Sequence, residues 1–212
     1  MKIGVINYGV GNLASVVSAF KVLGAETILI DHPADTSSVD KLVLPGVGNF
    51  ADCANILWRD GWVDALQIEV LGNKRPFLGI CLGMQLLAET GTEGAPPGKS
   101  VPGLGFVPGE IKSLRTLGCT MRVPHVGWNE IIPTSVNHNL LHGVPIGTDF
   151  YFVHSYAFVP KDPKYTCAIC DYGIPFAAIV RNGHVWGTQF HPEKSSRAGF
   201  RLLNNFLQDE KC

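Results

Sequence analysis

The sequence predicts an α/β fold in which a doubly wound, largely parallel sheet is followed by an antiparallel second half. Three observations predict it. In the first half, short apolar runs alternate with segments of helical periodicity, which is typical of parallel strands connected by helices. In the second half, shorter strand-like segments follow one another between Gly, Pro and Asn turns. The 212 residues are 46% hydrophobic and only 17% charged, which suits one domain, spanning residues 1–212, with buried strands.

The elements of the first half are predicted from apolar runs and from apolar residues that recur with helical spacing. The strand at 76–80 is uncharged and apolar throughout, as expected of a strand covered on both faces. In chain order, the predicted elements are a strand at 2–6, a helix at 13–23 that Gly24 ends, strands at 27–30 and 41–44, a helical segment at 50–71 with a break near Gly61, and a strand at 76–80.

The second half is predicted as a series of short strands closed by one amphipathic helix. Asn182-Gly183 between two strand-like segments is a strong signal for a type I′ hairpin. No internal repeat, low-complexity tract or linker interrupts the chain. The predicted strands lie at 106–112, 120–123, 129–132, 151–154, 166–172, 177–181 and 184–190, and the helix at 197–207.

Composition excludes several classes of function. The formal net charge is −1 and no block of like charges occurs, so we expect neither nucleic acid nor an anionic membrane as a partner. No apolar run is long enough for a membrane span, and the first apolar run is too short for a signal peptide. Six cysteines are too few for a disulfide framework, and the Cys167–Cys170 pair has no second pair to complete a zinc site. A cytoplasmic protein without a metal is expected.

A glycine-rich turn after the first strand leaves a nucleotide-binding alternative open. Gly9-Val10-Gly11-Asn12-Leu13-Ala14 matches the fingerprint in which glycines let backbone amides approach a pyrophosphate. Asp31 ends the second strand, where an acid that binds ribose would lie. A dinucleotide-binding oxidoreductase is therefore one hypothesis. The other reading is a tight turn in which the glycines serve backbone geometry alone.

The turn after the fourth strand has the pattern of a nucleophile elbow. In Gly79-Ile80-Cys81-Leu82-Gly83, glycines stand two residues before and two after the cysteine, where a sharp strand-to-helix turn leaves no room for side chains. A helix is expected over residues 84–88, so its N-terminus would favour the thiolate. The backbone amide of Leu82 would supply one oxyanion donor.

A base and an orienting acid for this cysteine occur together near the end of the chain. His191 can accept the thiol proton, and Glu193 can hold the imidazole in one tautomer. The order cysteine, histidine, acid differs from that of α/β-hydrolases, in which the acid precedes the histidine. The loop Pro45-Gly46-Val47-Gly48 follows the third strand, and a doubly wound sheet would bring it near the elbow. Spacing alone leaves open whether this loop is an ordinary turn or turns an amide toward an oxyanion.

These motifs together resemble a known family. The elbow with Met84 and Gln85, and the His191-Pro192-Glu193 segment, resemble the triad of class I glutamine amidotransferases, which have a flavodoxin-like α/β fold. Within that class, four further segments resemble the glutaminase subunits of imidazole glycerol phosphate synthases. These segments are Ile6-Asn7-Tyr8-Gly9-Val10-Gly11-Asn12, the loop 45–48, Pro124-His125-Val126-Gly127-Trp128-Asn129 and Tyr151-Phe152-Val153-His154-Ser155-Tyr156.

The resemblance implies a role for each matching residue and no cofactor. It also explains the Gly9 loop, because the family carries that loop without a dinucleotide. His125 and His154 are interpreted as structural. The implied roles are Cys81, His191 and Glu193 as the catalytic triad, the amides of Val47 and Leu82 as the oxyanion hole after the loop rearranges, Gly48, Gln85, Glu93, Ser155 and Tyr156 around glutamine, and Asn12, Trp128 and Lys194 at a partner subunit.

The resemblance further implies a division of labour between two proteins. The chain would hydrolyse glutamine through a cysteinyl thioester and pass ammonia to a (β/α)₈-barrel cyclase, as a heterodimer. The cyclase would make imidazole glycerol phosphate and aminoimidazole carboxamide ribotide in histidine biosynthesis. A second glutaminase hypothesis is that the ammonia feeds another acceptor, such as a sugar amidated by a paralogous partner.

Overall fold

The computed structural model describes residues 1–134 and 139–209, and its first half alternates strands with helices as predicted. The apolar stripe of the first helix packs against the sheet, and Gly61 separates the second helix from the third. The third helix continues into a wider helical turn over Gln67–Gly72. In chain order the elements are β1 (Lys2–Ile6), α1 (Leu13–Val22), β2 (Glu26–Ile30), β3 (Lys41–Gly46), α2 (Phe50–Arg59), α3 (Trp62–Leu66), β4 (Phe77–Cys81) and α4 (Leu82–Gln85).

The second half consists of short strands followed by one long helix. Its elements are β5 (Thr90–Gly91), β6 (Val101–Pro102), β7 (Gly109–Ser113), β8 (His125–Glu130), β9 (Ile132–Pro133), β10 (Asp149–His154), β11 (Tyr156–Pro160), β12 (Thr166–Asp171), β13 (Pro175–Asn182), β14 (Val185–Thr188) and α5 (Ser196–Gln208).

The largest sheet has the strand order β2-β1-β3-β4-β14-β13-β12-β9. The strands from β2 to β14 are parallel to their neighbours, and β13, β12 and β9 continue the sheet antiparallel. This is the α/β class that the sequence predicts, with its antiparallel second half. A four-stranded sheet, β11-β7-β5-β6, and the pair β10-β8 complete the fold.

Two apolar clusters cover the two faces of the large sheet. Alternate residues of β3 belong to different clusters: Val43 packs with Phe20 and Phe206 of α1 and α5, whereas Leu44 packs with Phe50 of α2. The main strands are therefore covered on both sides, which explains their apolar sequences. No helix in the described part of the chain is long and apolar enough to cross a membrane.

Several predicted elements differ from the structure. Residues 120–123 form no strand: Met121 is exposed, and the segment has no neighbouring strand with which to pair. The hairpin turn lies one residue later than predicted, at Gly183-His184, because Asn182 still pairs with Val185. β11 was not predicted. The helix after the elbow is a single turn, Leu82–Gln85, and it begins two residues earlier than expected.

Candidate active site

Cys81 occupies the strained turn that its flanking glycines predict. It is the last residue of β4 and caps α4, with φ 55° and ψ −111°. A non-glycine residue at such a positive φ is held there only by its surroundings. The cysteine is 7% exposed and its Sγ lies 3.7 Å from the carbonyl oxygen of Val153.

The two elbow glycines are required by close backbone approaches. A Cβ at Gly79 would lie 2.5 Å from the carbonyl oxygen of Gly83, and a Cβ at Gly83 would overlap the carbonyl oxygen of Leu44. Any side chain at either position would therefore push the elbow away from β3 and β4. The sequence spacing thus reflects a steric requirement of the fold.

Sheet topology brings His191 beside Cys81. β14 is parallel to β4, and Thr188 pairs with Ile80, so the residues that follow both strands emerge at the same edge of the sheet. His191 lies three residues beyond β14 and is 5% exposed. Its backbone is held by Ser195, whose hydroxyl donates to the His191 carbonyl oxygen at 2.6 Å.

The three residues predicted as a triad form one hydrogen-bonded line. Nδ1 of His191 lies 2.8 Å from Oε1 of Glu193, whose side chain is only 1% exposed. That leaves Nε2 of His191 for the hydrogen bond with Cys81. Burial alone would lower the pKa of His191, but the hydrogen bonds and charges of Cys81 and Glu193 outweigh burial and raise that pKa to about 9. At neutral pH the site therefore holds an imidazolium next to the sulfur.

A cavity of about 230 Å³ opens in front of this line. Five of its lining residues come from the two glycine-containing turns and from β11, and Glu193 lies behind His191, outside the lining. The lining residues are Val47, Gly48, Cys81, Leu82, Gln85, Glu93, Pro124, Val153, His154, Ser155, Tyr156 and His191. The structure thus brings every residue predicted to surround glutamine, together with both predicted oxyanion residues, into one pocket.

Two polar side chains of the pocket are oriented by the backbone around them. Nε2 of Gln85 donates to the carbonyl oxygen of Tyr156 at 3.0 Å and to Oε1 of Gln189 at 3.1 Å. Oε2 of Glu93 accepts from the backbone N–H of Phe50 at 3.0 Å. Burial raises the pKa of Glu93, and the Phe50 N–H opposes that rise. Both side chains therefore present fixed polar atoms to a ligand.

The loop after β3 forms the opposite side of the pocket. Val47 and Gly48 are exposed, and Gly48 has φ +97°, a conformation that favours glycine. The carbonyl oxygen of Val47 accepts from Sγ of Cys53 at 3.5 Å. Gly46, the last residue of β3, pairs with Cys81, and Val47 follows it directly. The loop therefore borders the sulfur.

His154 is a pocket residue and not only a structural one, which the sequence interpretation missed. Its Nδ1 lies 2.8 Å from the Tyr156 carbonyl oxygen, so Nδ1 carries the proton. Its Nε2 lies 3.0 Å from Nδ1 of His125, and Nε2 of His125 lies 2.8 Å from Oδ1 of Asn129. Burial lowers the pKa of His154 to about 3, so the ring is neutral.

Gln189 and Ser195 are further residues that sequence reasoning missed. Gln189 is fully buried, bonds to Gln85, and has Nε2 4.0 Å from Sγ of Cys81. A glutamine in the mostly apolar strand segment 185–190 that leads to His191 was the available signal. Ser195 is 1% exposed and accepts from the backbone N–H of Tyr151 at 3.0 Å. A buried serine is common enough that nothing in the sequence singled it out.

The three residues predicted at a partner lie on neighbouring elements beside the pocket. Asn12 is the residue before α1, and α1 contacts the turn Pro192–Lys194, in which Lys194 is exposed. That turn also contacts β10, which pairs with β8. Trp128 on β8 is 50% exposed, with its ring centroid 5.8 Å from that of Tyr151.

The glycine-rich turn considered for a dinucleotide and the Cys167–Cys170 pair considered for a metal lie apart from the pocket lining. Nδ2 of Asn7 donates to Oδ1 of Asp31 at 2.6 Å, and the Gly9 N–H donates to Oδ1 of Asn7 at 3.2 Å, so this turn closes on itself. Burial raises the pKa of Cys167 to about 11 and that of Cys170 to about 12. Within residues 1–134 and 139–209, no group of three His, Cys, Asp or Glu side chains could hold a metal ion.

Comparisons with known proteins agree with this geometry. A family model described as glutamine amidotransferase class-I matches residues 4–209. The imidazole glycerol phosphate synthase subunit HisH of Rhodospirillum rubrum is 42% identical over 215 residues, which are 98% of this chain and 99% of that protein. The protein of the same name from Moorella thermoacetica is 44% identical over 205 residues, which are 96% of this chain and 93% of that protein.

A solved structure shows the same fold at much lower identity. PurLQS from Thermotoga maritima matches with a TM-score of 0.75 at 16% identity and covers 97% of each chain. An identity this low speaks for the fold alone. The fold class predicted from the alternation of strands and helices is therefore confirmed.

Proposed function

The chain belongs to the class-I glutamine amidotransferase family, within it to the group of imidazole glycerol phosphate synthase HisH subunits, and on this premise we propose that it hydrolyses glutamine and delivers ammonia to a cyclase. The observation that carries the proposal is the line Cys81–His191–Glu193 at the back of a pocket lined by the residues expected around glutamine. The nucleotide-binding and sugar-amidation alternatives find no support in the comparisons.

The proposed reaction uses the sulfur as a nucleophile and the imidazolium as an acid. The thiolate of Cys81 attacks the side-chain amide carbon of glutamine and forms a C–S bond. His191 gives its proton to the leaving nitrogen, so the C–N bond breaks, ammonia departs and a thioester remains. Water then attacks the thioester while His191 takes its proton, the C–S bond breaks, and glutamate leaves with the thiolate–imidazolium pair restored. Glu193 holds the imidazole in the orientation for both steps.

The charge that develops on the amide oxygen needs donors on the side of β3 and β4. We assign this role to the backbone N–H groups of Leu82 and Val47, which both line the pocket. Leu82 is held by the elbow. Val47 lies in an exposed loop between Gly46 and Gly48, and glycines on both sides permit its peptide to turn over. We propose that the partner and its bound acceptor favour the orientation in which the Val47 N–H faces the oxyanion.

The remaining pocket residues orient the substrate. The Glu93 carboxylate suits the α-ammonium group of glutamine, and Gln85, Ser155, Tyr156 and the Gly48 backbone offer hydrogen bonds around the rest of the molecule. No cofactor takes part in this scheme.

The proposed partner is a (β/α)₈-barrel cyclase that binds beside the pocket as the second half of a heterodimer. The relatives are named as subunits of imidazole glycerol phosphate synthase. Val126 and Trp128 on β8 are exposed apolar residues, and Val153 on β10 links this face to the pocket. Exposed apolar residues grouped in this way are typical of an interaction surface. Asn12 and Lys194 would extend the contact, and the cytoplasmic location expected from the sequence stays a prediction.

Active-site labelling tests the proposed chemistry. A diazo-ketone analogue of glutamine should label Cys81 and leave the other cysteines unmodified, as determined by mass mapping. The high pKa values of Cys167 and Cys170 keep them as thiols, and Cys119 donates to the carbonyl oxygen of Tyr172. Cys81→Ser should abolish labelling, and Cys170→Ala should not change it. A label found mainly on Cys53, Cys119 or the Cys167–Cys170 pair would contradict the assignment.

A further inference from the structure

Gln189 carries a buried amide beside the reactive sulfur that the mechanism given so far does not use. Its backbone N–H donates to the carbonyl oxygen of Ala178 at 2.9 Å, so it continues the pairing of β14 with β13. Thr188 pairs with Ile80 in the parallel register, which places Gln189 next to Cys81. The Gln189 side chain is fully buried and lies outside the pocket lining, so it does not contact a ligand in the pocket. A buried amide needs specific partners.

The direction of the Gln189 amide follows from the groups around it. A backbone carbonyl only accepts hydrogen bonds, so the end of Gln85 that lies 3.0 Å from the Tyr156 carbonyl oxygen is its NH2 group. The second hydrogen of that NH2 group needs another acceptor, which is Oε1 of Gln189 at 3.1 Å. Nε2 is then the end of Gln189 that faces Sγ of Cys81, at 4.0 Å. The sulfur therefore has an amide N–H group beside it.

The contact between Nε2 and the sulfur matters most when the sulfur is charged. In the thiol state, the hydrogen of Cys81 points to the carbonyl oxygen of Val153 at 3.7 Å. Ionisation removes that hydrogen and leaves the thiolate beside an oxygen with a partial negative charge. A distance of 4.0 Å is the outer limit for a hydrogen bond to sulfur, but bonds to charged acceptors are shorter and roughly twice as strong as neutral ones. A nearby N–H therefore favours the thiolate.

Resting on the proposed function, we propose that Gln189 is a second hydrogen-bond donor to the Cys81 thiolate, held in orientation by Gln85. His191, the first donor, gives its proton to the leaving nitrogen when the C–N bond breaks. An amide N–H is not transferred, so Gln189 keeps its hydrogen throughout the reaction. It therefore stabilises the thiolate both before the attack on glutamine and when the C–S bond of the thioester breaks.

Alkylation of Cys81 by iodoacetamide tests the donor without requiring glutamine. The rate is followed by mass mapping in the free chain over a range of pH. Gln189→Met removes the N–H, so the pH midpoint of the rate should rise by about one unit, the tenfold effect that a hydrogen bond to a charged group supplies. Gln189→Glu keeps an oxygen for Gln85 but replaces the N–H with a group that is more acidic than a thiol. Its midpoint should rise at least as far, and it decides the question if Gln189→Met does not fold.

A matched control separates this role from a structural one. Thr188→Val removes a buried hydroxyl on the same strand, which donates to the Phe190 carbonyl oxygen at 3.1 Å. This variant should have a lower melting temperature and an unchanged pH midpoint. The titratable side chains that interact electrostatically with the sulfur are His191, after β14, and Tyr8, after β1, and both are kept in every variant.

In the complex with acceptor bound, kcat for glutamine hydrolysis should fall about tenfold in Gln189→Met. A wild-type pH midpoint in the Gln189 variants, an equal shift in Thr188→Val, or a wild-type kcat in Gln189→Met would each overturn the inference. A wild-type complex that does not hydrolyse glutamine would instead contradict the proposed function. The alkylation result does not depend on that activity, so the two failures are distinguishable.

Discussion

Two sides of the pocket around Cys81 differ in how completely their polar groups are paired. The histidine wall consists of His125, His154 and the carbonyl of Tyr156: Nδ1–H of His154 donates to that carbonyl at 2.8 Å, and Nδ1–H of His125 donates to Nε2 of His154 at 3.0 Å. The loop wall consists of residues 45–48 with Tyr8 and Cys53 behind them. It has an exposed Val47, a positive φ at Gly48 and an unpartnered Tyr8 hydroxyl.

The difference indicates which part of the site can change during the reaction. The histidine wall is fixed by hydrogen bonds and by stacking of His125 on Tyr172, with ring centroids 3.9 Å apart, so any rearrangement breaks several contacts at once. The loop wall has few hydrogen bonds to lose. We therefore expect substitutions in the histidine wall to act on stability and those in the loop wall to act on catalytic rate.

Removal of the sulfur between the two walls should have the largest effect. Cys81→Ala should lower the rate of glutamine-dependent synthesis by several orders of magnitude, because the step that it removes is covalent. Synthesis from added ammonium salts should continue, since the acceptor chemistry belongs to the partner. Both rates are measured in the reconstituted complex. An equal loss of the ammonia-driven reaction would mean that the cysteine has a structural role and that neither wall serves a nucleophile.

The loop wall should be tested by Val47→Pro, which removes the amide hydrogen. The absence of one oxyanion donor lowers the rate by about 10²–10³. We expect the complex with acceptor to remain near the rate of the free chain, with little change in the free energy of unfolding. Val47→Ala keeps the amide and serves as the matched control. If the free wild-type chain hydrolyses glutamine as fast as the complex does, the loop wall does not gate the reaction.

The histidine wall should respond in the opposite way. His154→Leu leaves Nδ1 of His125 without an acceptor and removes one donor from the Tyr156 carbonyl, in a site that is almost fully buried. A buried group left unpaired costs about 1–3 kcal/mol, so the free energy of unfolding should fall by that amount in denaturant titrations. The stimulation of the remaining activity by the partner should persist. A stable variant that has lost this stimulation would break the distinction between the walls.

The pH dependence of stability, at most about 1.4 kcal/mol per pH unit for one group, separates the two histidines. The pKa of His154 is lowered to about 3, mainly by burial, whereas an unfolded histidine titrates near 6.5. Between these values the unfolded chain binds a proton that the folded chain does not, so stability falls as the pH is lowered, by up to about 1.4 kcal/mol per pH unit. The free energy of unfolding, measured from pH 6.5 to 5, should depend less steeply on pH in His154→Leu than in the wild type.

The pKa of His191 is shifted in the opposite direction, so its effect on stability has the opposite pH dependence. Its pKa is raised to about 9 by Cys81 and Glu193, against the effect of burial, so the stability that it contributes is present below pH 6.5 and is lost as the pH rises through 9. In Glu193→Gln, the free energy of unfolding should fall less steeply as the pH rises above neutrality, and its dependence on pH below 6.5 should stay unchanged. A loss of the acid-side slope in Glu193→Gln would show that the two histidines titrate as one system.

Much of the catalytic line could be predicted from the sequence because its determinants are local. The elbow needs small residues at Gly79 and Gly83, and His191 and Glu193 are only two residues apart, so both patterns are visible in the chain itself. The elbow pattern and the neighbouring base and acid predict their roles as nucleophile, base and orienting group, and the family resemblance implies the same roles. Glu93 lies in a glycine-rich stretch without strong periodicity, so only the resemblance pointed to it from the sequence, and in the structure it lines the pocket.

The sequence by itself determined the alternation of strands and helices, the elbow and the histidine–acid pair, because helical and strand periods and backbone sterics act over a few residues. Tertiary structure alone decided the histidine wall, where His125 meets His154 across 29 residues, and the approach of the Tyr8 hydroxyl to the space beside Gly46. Both depend on strand order and register, which are set by the packing of whole faces of the sheet. A change of one residue in the register of β8 or β10 would place His125 or His154 on the opposite face.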